Sequence, residues 1–334
     1  GRGLADGFRA LGWAVQEVDY RDFAAKGGSG RISRAFARLN RTAAREALQR
    51  AVLGQCRVLK PDVLLAIKGV GLTSSLLRQV KETGARIAMY YPDVAFDHSG
   101  VSVDSFDEYD LFITTKTFQL AHLEHLLGRG RVAHVPHGYS DGVHRPVYSR
   151  IMEADYRADV LHAGNHSASK QRWIEGAVDA VPEATFHLVG NRWRENAAGR
   201  PLARCSALGE RVAVSYAEAI QMARINIAVH MGPTASGWED LVSTRTFEIP
   251  ACGGFMLHID NDEVREFFKP GVEIDVFSTP EELADKIRFY LTRPELRMQM
   301  IERAHARCVP AYGYAARARE IADILASRQG IRAT

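Results

Sequence analysis

At 334 residues, with 46% apolar and 25% charged side chains, the chain exceeds one ordinary core and suits two globular domains of roughly 150 residues each. Its net charge of +3 is too small to mark a nucleic-acid binder, and it has no run of about 20 apolar residues to span a bilayer. The four cysteines, Cys56, Cys205, Cys252 and Cys308, lie far apart without metal-ligand spacing, which fits reduced thiols in a cytoplasmic protein.

The opening GRGLADGFRALGW reads as a loop entering a helix at Leu4–Leu11, and the pattern expects a strand upstream of Gly1. Strands follow at Ala14–Val18, Asp62–Ile67, Arg86–Tyr91, Asp110–Thr115 and Val132–Val135, with helices near Ile32–Leu59, Leu72–Thr83 and Thr117–Leu127. Such alternation predicts a doubly wound parallel sheet, whose ligands gather at the carboxyl ends of its strands. After Gly27-Gly28-Ser29-Gly30, the helix carries Arg31, Arg34, Arg38, Arg41 and Arg45 in one arc, opposite Ile32, Phe36, Leu39 and Ala43. That stripe reads as a solvated face, or as a peripheral contact with an anionic inner-membrane surface or an acidic acceptor. Nucleic acid is disfavoured, because no aromatic residues interleave with the arginines.

Strand Arg86–Tyr91 runs into YYPDVAFDHSG, so Asp93, Asp97 and His98 stand at a carboxyl end, able to bind sugar hydroxyls or accept a proton. The same residues are also ordinary turn chemistry. The Gly-, Pro- and His-rich VPHGYSDGVHRPVY is the candidate linker. If it borders a cleft, His137 reaches the ligand; a structural histidine is the competing reading, and His144 reads as surface.

The alternation restarts with strands Ala158–Ala163, Thr185–Val189, Val212–Ser215, Ile225–His230, Phe255–Ile259 and Ile274–Phe277. Helices fall at Ala168–Val181, Tyr216–Ala223, about Val242–Ala251 and Asp262–Phe267. Thr279-Pro280-Glu281-Glu282 starts a helix through its cap and its proline, and Pro294–Val309 and Tyr314–Arg328 close the chain. Polar groups converge on the carboxyl edge of this second sheet: Gly164-Asn165-His166 with Lys170 and Arg172 behind it, then Gly190-Asn191-Arg192-Trp193, then His230 to Asp240. The ring of Trp193 can border a base or sugar, or simply pack. In Ser243–Phe255, STRTFEIPACGGF, Arg245 and Thr246 precede a single carboxylate, Glu248, ahead of a glycine turn. A carboxylate can accept both hydroxyl protons of a ribose, and an arginine can neutralise phosphate.

The stretch RTFEIPACGGFMLHIDNDEVREFFKPGVEIDVFSTPEELADKIRFYLTRPELR resembles the donor domain of glycosyltransferases with the GT-B fold, most closely the CgeB-like, spore-maturation-protein-type enzymes. PDVLLAIKG, YDLFITTK, VPHGYSDGVHRP and YRADVLHAGN extend the resemblance over nearly the whole chain. It implies two Rossmann-like domains facing a cleft: an acceptor domain over 1–140, a nucleotide-sugar donor domain over 141–313, and a helix over 314–334 that crosses back. Glu248 takes the ribose-binding position of the Glu-x7-Glu motif, while the first position holds Asp240 rather than Glu. Lys170 or Arg172, with Arg245, meets the diphosphate, and no metal or other cofactor is expected. The implied activity is sugar transfer from a nucleotide-sugar to an unidentified acceptor with retention of configuration. A GT-B-type nucleotide-sugar epimerase using Asp93 and Asp97, and a non-catalytic nucleotide-sugar binder, are the alternatives.

Overall fold

A computed structural model describes residues 1–23, 31–97, 100–197 and 201–332; for residues 31–40 it describes the backbone alone. The chain divides into two compact units, residues 1–136 with 318–334, and residues 137–317.

In the first unit, α1 (Arg2–Ala10) buries Leu4, Ala5 and Phe8, and is followed by α2 (Arg31–Leu59). Then come β1 (Val63–Ile67), α3 (Ser74–Lys81), β2 (Arg86–Tyr91), β3 (Leu111–Thr114), α4 (Leu120–Leu127) and β4 (Val132–His134). Thr73 caps α3 by accepting the Leu76 N–H. The strands are parallel and lie in the order β1-β2-β3-β4. Ile87 to Tyr91 and all of β3 are buried, as a parallel sheet covered on both faces requires. The last helix of the chain, Tyr314–Gln329, contributes its residues from Ala318 onward to this unit. There Arg328 Nη1 donates to the Val132 carbonyl at 2.6 Å.

The expected strand Ala14–Val18 does not form. Its polar groups are engaged locally: Arg9 reaches the Val15 carbonyl at 3.2 Å and the Glu17 carboxylate at 2.8 Å, while Val18 packs on the core.

The second unit contains β5 (Ala158–Ala163), α5 (Ala168–Ala180), β6 (Phe186–Val189), α6 (Trp193–Asn196), β7 (Ser206–Gly209) and α7 (Val214–Gln221). It continues with β8 (Ala223–Ala228), α8 (Thr244–Ala251), β9 (Met256–Ile259), α9 (Asp262–Phe267), β10 (Asp275–Phe277), α10 (Pro280–Leu291) and α11 (Pro294–Cys308). As its sequence predicts, α10 is capped by Thr279, whose hydroxyl accepts the Glu282 N–H, with proline in its first turn. All strands are parallel, in the order β7-β6-β5-β8-β9-β10. Neighbours along a strand serve opposite faces: Val160 joins one apolar cluster with Ile174 and Leu257, and Leu161 joins the other with Phe247 and Met256. The chain winds outward from β5 to β7 and then returns to lay β8 beside β5, so the order reverses between these two strands. Ligands of open α/β sheets bind in the crevice that such a reversal opens at the carboxyl ends.

The third strand of this unit is Ser206–Gly209, not Val212–Ser215. The alternation of Val212-Ala213-Val214-Ser215 mimics a strand, but both valines are exposed, the Ser215 hydroxyl donates to the Val212 carbonyl at 2.8 Å, and α7 begins at Val214.

Candidate functional site

The crevice between β5 and β8 receives three groups of residues. From β5 comes Gly164-Asn165-His166, and beside it the end of β6, Gly190-Asn191. These loops are laced together. The Asn191 N–H donates to Asn165 Oδ1 at 2.9 Å, and the His166 N–H to the Asn191 carbonyl at 3.0 Å. Gly190 sits at φ +133°, and a Cβ there would come within 2.4 Å of the Gly164 carbonyl oxygen, so only glycine fits. Trp193, 1% exposed, donates its indole N–H to the same oxygen at 2.7 Å. The expectation of a ring bordering a base is therefore corrected: Trp193 braces the loop from inside the core.

Behind the loop, Ser167 caps α5, and the buried Lys170 donates from Nζ to the Asn165 carbonyl at 3.1 Å. Burial, aided by the charge of Arg245, brings its ammonium down to about 8, against the pull of Asp240. Arg172 is exposed and lies two residues further round the helix, so Lys170 is the cation held at the loop.

The second group comes from β8 and α8. Arg245 Nη2 donates to the Val229 carbonyl at 3.2 Å and stands 3.3 Å from His230 Nδ1. Its Nη1 lies 2.8 Å from the position a Cβ would take on Gly164, so the guanidinium covers the glycine loop. Asp240, one-tenth exposed, has its carboxylate 3.9 Å from His230 Nδ1. Thr246 is fully buried and is spent on structure: its hydroxyl accepts the Ser243 N–H at 3.2 Å, completing the helix cap, and lies 3.0 Å from His258 Nε2. A ligand-binding role for Thr246 is corrected accordingly.

Third is Glu248, one turn beyond Arg245 and so on the same face of α8. Its Oε2 accepts the Tyr216 hydroxyl at 2.8 Å, and its Oε1 is 3.7 Å from His144 Nε2. Because the Ser140 N–H donates to His144 Nδ1 at 2.9 Å, the neutral ring carries its proton on Nε2, aimed at the carboxylate. Burial lowers the pKa of His144, and Glu248 opposes that shift. His144 is thus not the surface residue its sequence suggests; its side chain is 14% exposed. Burial and Glu248 together push the Tyr216 phenol well above its usual range. Neither Tyr216 nor His258 stands out in the sequence, and the one cue to His258 is a histidine inside the apolar run FMLHI.

The remaining candidates have other partners. His137 is buried, and its backbone carbonyl accepts the Arg317 Nε–H at 3.0 Å. In the first unit Asp93 pairs with Lys68 Nζ at 2.7 Å, and Asp97 is exposed; His98 lies outside the described residues. Arg31, Arg34 and Arg38 belong to the stretch whose side chains are not described, so the basic stripe is traced only at Arg41 and Arg45. No helix among the described residues is long and apolar enough to cross a membrane.

Residues 167–323 match the family described as Glycosyl transferase-like, a span that begins just after β5 and its glycine loop and includes β6 to β10. The chain is similar to HepE of Anabaena solved with UDP-glucose, at 15% identity over 84% of this chain and 82% of that one, with a TM-score of 0.62. It is also similar to a glycosyltransferase of Rickettsia africae, at 13% identity over 98% and 93%, with a TM-score of 0.67. A third likeness is to sucrose-phosphate synthase of Thermosynechococcus elongatus, at 14% identity over 86% and 79%, with a TM-score of 0.61. No curated protein sequence matches the chain. The chain has the GT-B fold, and the glycosyl transferase-like match falls mainly on its second unit.

Proposed function

We propose that this protein is a glycosyltransferase that moves a sugar from a nucleotide-sugar held by residues 137–317 to an acceptor handled by the first unit. The observation that carries the reading is the shared face of α8. Arg245 covers the glycine loop beside Lys170, and Glu248 stands one turn away with its carboxylate fixed by Tyr216. Two cations and a hydroxyl-binding carboxylate at that spacing suit a nucleoside diphosphate: diphosphate on Lys170, Arg245 and the N-terminus of α5, ribose on Glu248. The backbone of Gly164, Asn165, Gly190 and Asn191 shapes the floor of that site. UDP-sugars are the first donors to test, because the HepE structure contains UDP-glucose.

In this reading Asp240 faces the transferred sugar and the reaction retains configuration, the shorter carboxylate standing in the first position of the Glu-x7-Glu pattern. Metal independence belongs to the same proposal, since Lys170, Arg245 and a helix terminus supply positive charge for the departing diphosphate. The stretch RTFEIPACGG supports the CgeB-like subgroup.

A thermal-shift panel of UDP-, GDP- and dTDP-sugars tests the reading, because a ligand of the native state raises its melting temperature by mass action. A shift with one base class is expected, followed by donor consumption that depends on added acceptor. Epimerised donor without acceptor would identify an epimerase instead, and no stabilisation by any nucleotide-sugar would sink the proposal. Activity should survive EDTA; complete loss restored by manganese would refute the metal-free part.

A further inference from the structure

Below the crevice lies a short chain of buried groups that the donor reading does not use. His258, on β9 and fully buried, has Nδ1 2.6 Å from the Ile259 carbonyl and Nε2 3.0 Å from His230 Nε2. The two rings are 4.8 Å apart, and His230, at the end of β8, is also buried. A carbonyl can only accept, so His258 must carry its proton on Nδ1. Burial holds this imidazole down at about 4, so it is neutral, and its Nε2 is a lone pair. That lone pair can only receive, so His230 must donate to it from Nε2–H. With a single proton placed on Nε2, His230 presents its lone pair on Nδ1, the atom 3.3 Å from Arg245 Nη2 and 3.9 Å from the Asp240 carboxylate. One backbone carbonyl on β9 thus determines, through two rings, that an acceptor rather than a donor meets the guanidinium. The Thr246 hydroxyl, 3.0 Å from the same His258 nitrogen, can donate there too, which supports the acceptor state of His258 Nε2 while sharing its one lone pair with His230.

We propose that His258 is a positioning residue of the donor site: by fixing the Nε2–H form of His230 it keeps Arg245 docked over the Gly164 loop. This inference deepens the donor reading above and rests on it for the ligand, but the proton arrangement is a property of the unliganded protein. Were His230 to carry its proton on Nδ1, an N–H would face the guanidinium, and Arg245 would lose one of its two anchors. The other anchor, the Val229 carbonyl at 3.2 Å, belongs to the same strand end, so the arginine is held at one point of the crevice floor by both.

Ring-nitrogen NMR on 15N-labelled protein tests this directly, with the His230 signals assigned from their loss in His230→Gln. The wild type is expected to show His230 as the Nε2–H tautomer. His258→Leu removes the acceptor and is expected to raise the Nδ1–H fraction of His230 measurably, against the remaining preference set by Arg245. His258→Gln, whose amide oxygen can reach the same place, is expected to restore the Nε2–H form. Calorimetry with UDP-glucose then gives the consequence: about tenfold weaker binding in His258→Leu, recovered in His258→Gln, in line with one charge-assisted hydrogen bond. An Nδ1–H tautomer in the wild type, or an unchanged tautomer in His258→Leu, overturns the proposal. If wild-type protein binds no nucleotide-sugar, the donor reading fails while the NMR result still decides the proton arrangement. If His258→Leu does not fold, the wild-type spectrum and His258→Gln carry the decision.

Discussion

Both units are parallel sheets wrapped in helices, yet the chain travels through them differently. In the first, the described strands follow one another across the sheet in sequence order, β1 to β4. In the second, the chain leaves β5 in one direction and returns to place β8 on its other side. The difference has a chemical counterpart. Where the order runs straight, the acidic residue at a strand end is already neutralised, Asp93 by Lys68 at 2.7 Å. Where the order reverses, polar groups of both signs gather: the charge of Arg245 lowers the pKa of Lys170, and Asp240 opposes that shift. Holding the buried Lys170 beside the partly exposed Arg245 is unfavourable for the lysine's charge, and an anion bound there would relieve it. Strand order thus accounts for the gathering of these candidate groups at one end of the second sheet.

The sharpest way to break this contrast is Glu248→Ala. Tyr216 holds the carboxylate through Oε2, and losing the hydrogen bonds proposed from two ribose hydroxyls to a charged acceptor would cost about 3 kcal/mol or more, roughly a 100-fold loss of affinity. Calorimetry with a UDP-sugar should show this, and wild-type affinity would remove the ribose assignment. Next in size is Gly190→Ala, a change that touches no ligand. Its methyl would lie 2.4 Å from the Gly164 oxygen at a φ of +133°, so a loss of about 1–3 kcal/mol is expected, read as a lowered melting temperature. Unchanged melting would mean that the two loops are not locked together as described.

The pH dependence of binding follows from Lys170. Its pKa is lowered to about 8, so the free protein loses this charge as pH rises through 8, whereas a bound diphosphate favours the ammonium and raises its pKa. Affinity should therefore be constant below about pH 7 and fall above 8, by up to about tenfold per pH unit where the bound lysine keeps its proton. Lys170→Met should flatten that limb of the profile; a slope that persists in this variant would assign the titration to another group.

Much of this architecture is legible in the sequence because the second unit's strands are near-continuous apolar runs and its helices announce their ends. Thr279-Pro280 and the Ala158–Ala163 run are cases in which local chemistry and fold agree. The edge strand is not legible, since Ser206-Ala-Leu-Gly209 has weak strand chemistry while the exposed Val212-Ala-Val-Ser215 looks more like a strand than the strand does. At the site, Glu248, Arg245 and Lys170 stand out because charge beside glycine is unusual. Their supports do not: Tyr216 lies 32 residues from Glu248 in the chain, and His144 reaches it from the far side of the whole sheet-forming sequence. Trp193 misleads for the converse reason, an aromatic in a polar loop whose polar edge turns out to hold that loop from within.

The smallest expected effect tests the other side of the comparison. Asp93→Asn keeps the size of the side chain and removes its charge, leaving Lys68 without its partner. The aspartate is about one-third exposed, so solvent screens the pair and the stability change should stay within about 1 kcal/mol. If donor binding is confined to the second unit, UDP-sugar affinity should move by less than about twofold, because a neutral substitution in a separate sheet removes none of the groups that meet the diphosphate or the ribose. Turnover with an acceptor is a separate reading: a fall in acceptor efficiency at unchanged donor affinity would assign the Lys68–Asp93 pair to acceptor recognition. A tenfold loss of donor affinity would instead mean that the first unit shares in holding the nucleotide, and the division of labour drawn from strand order would not stand.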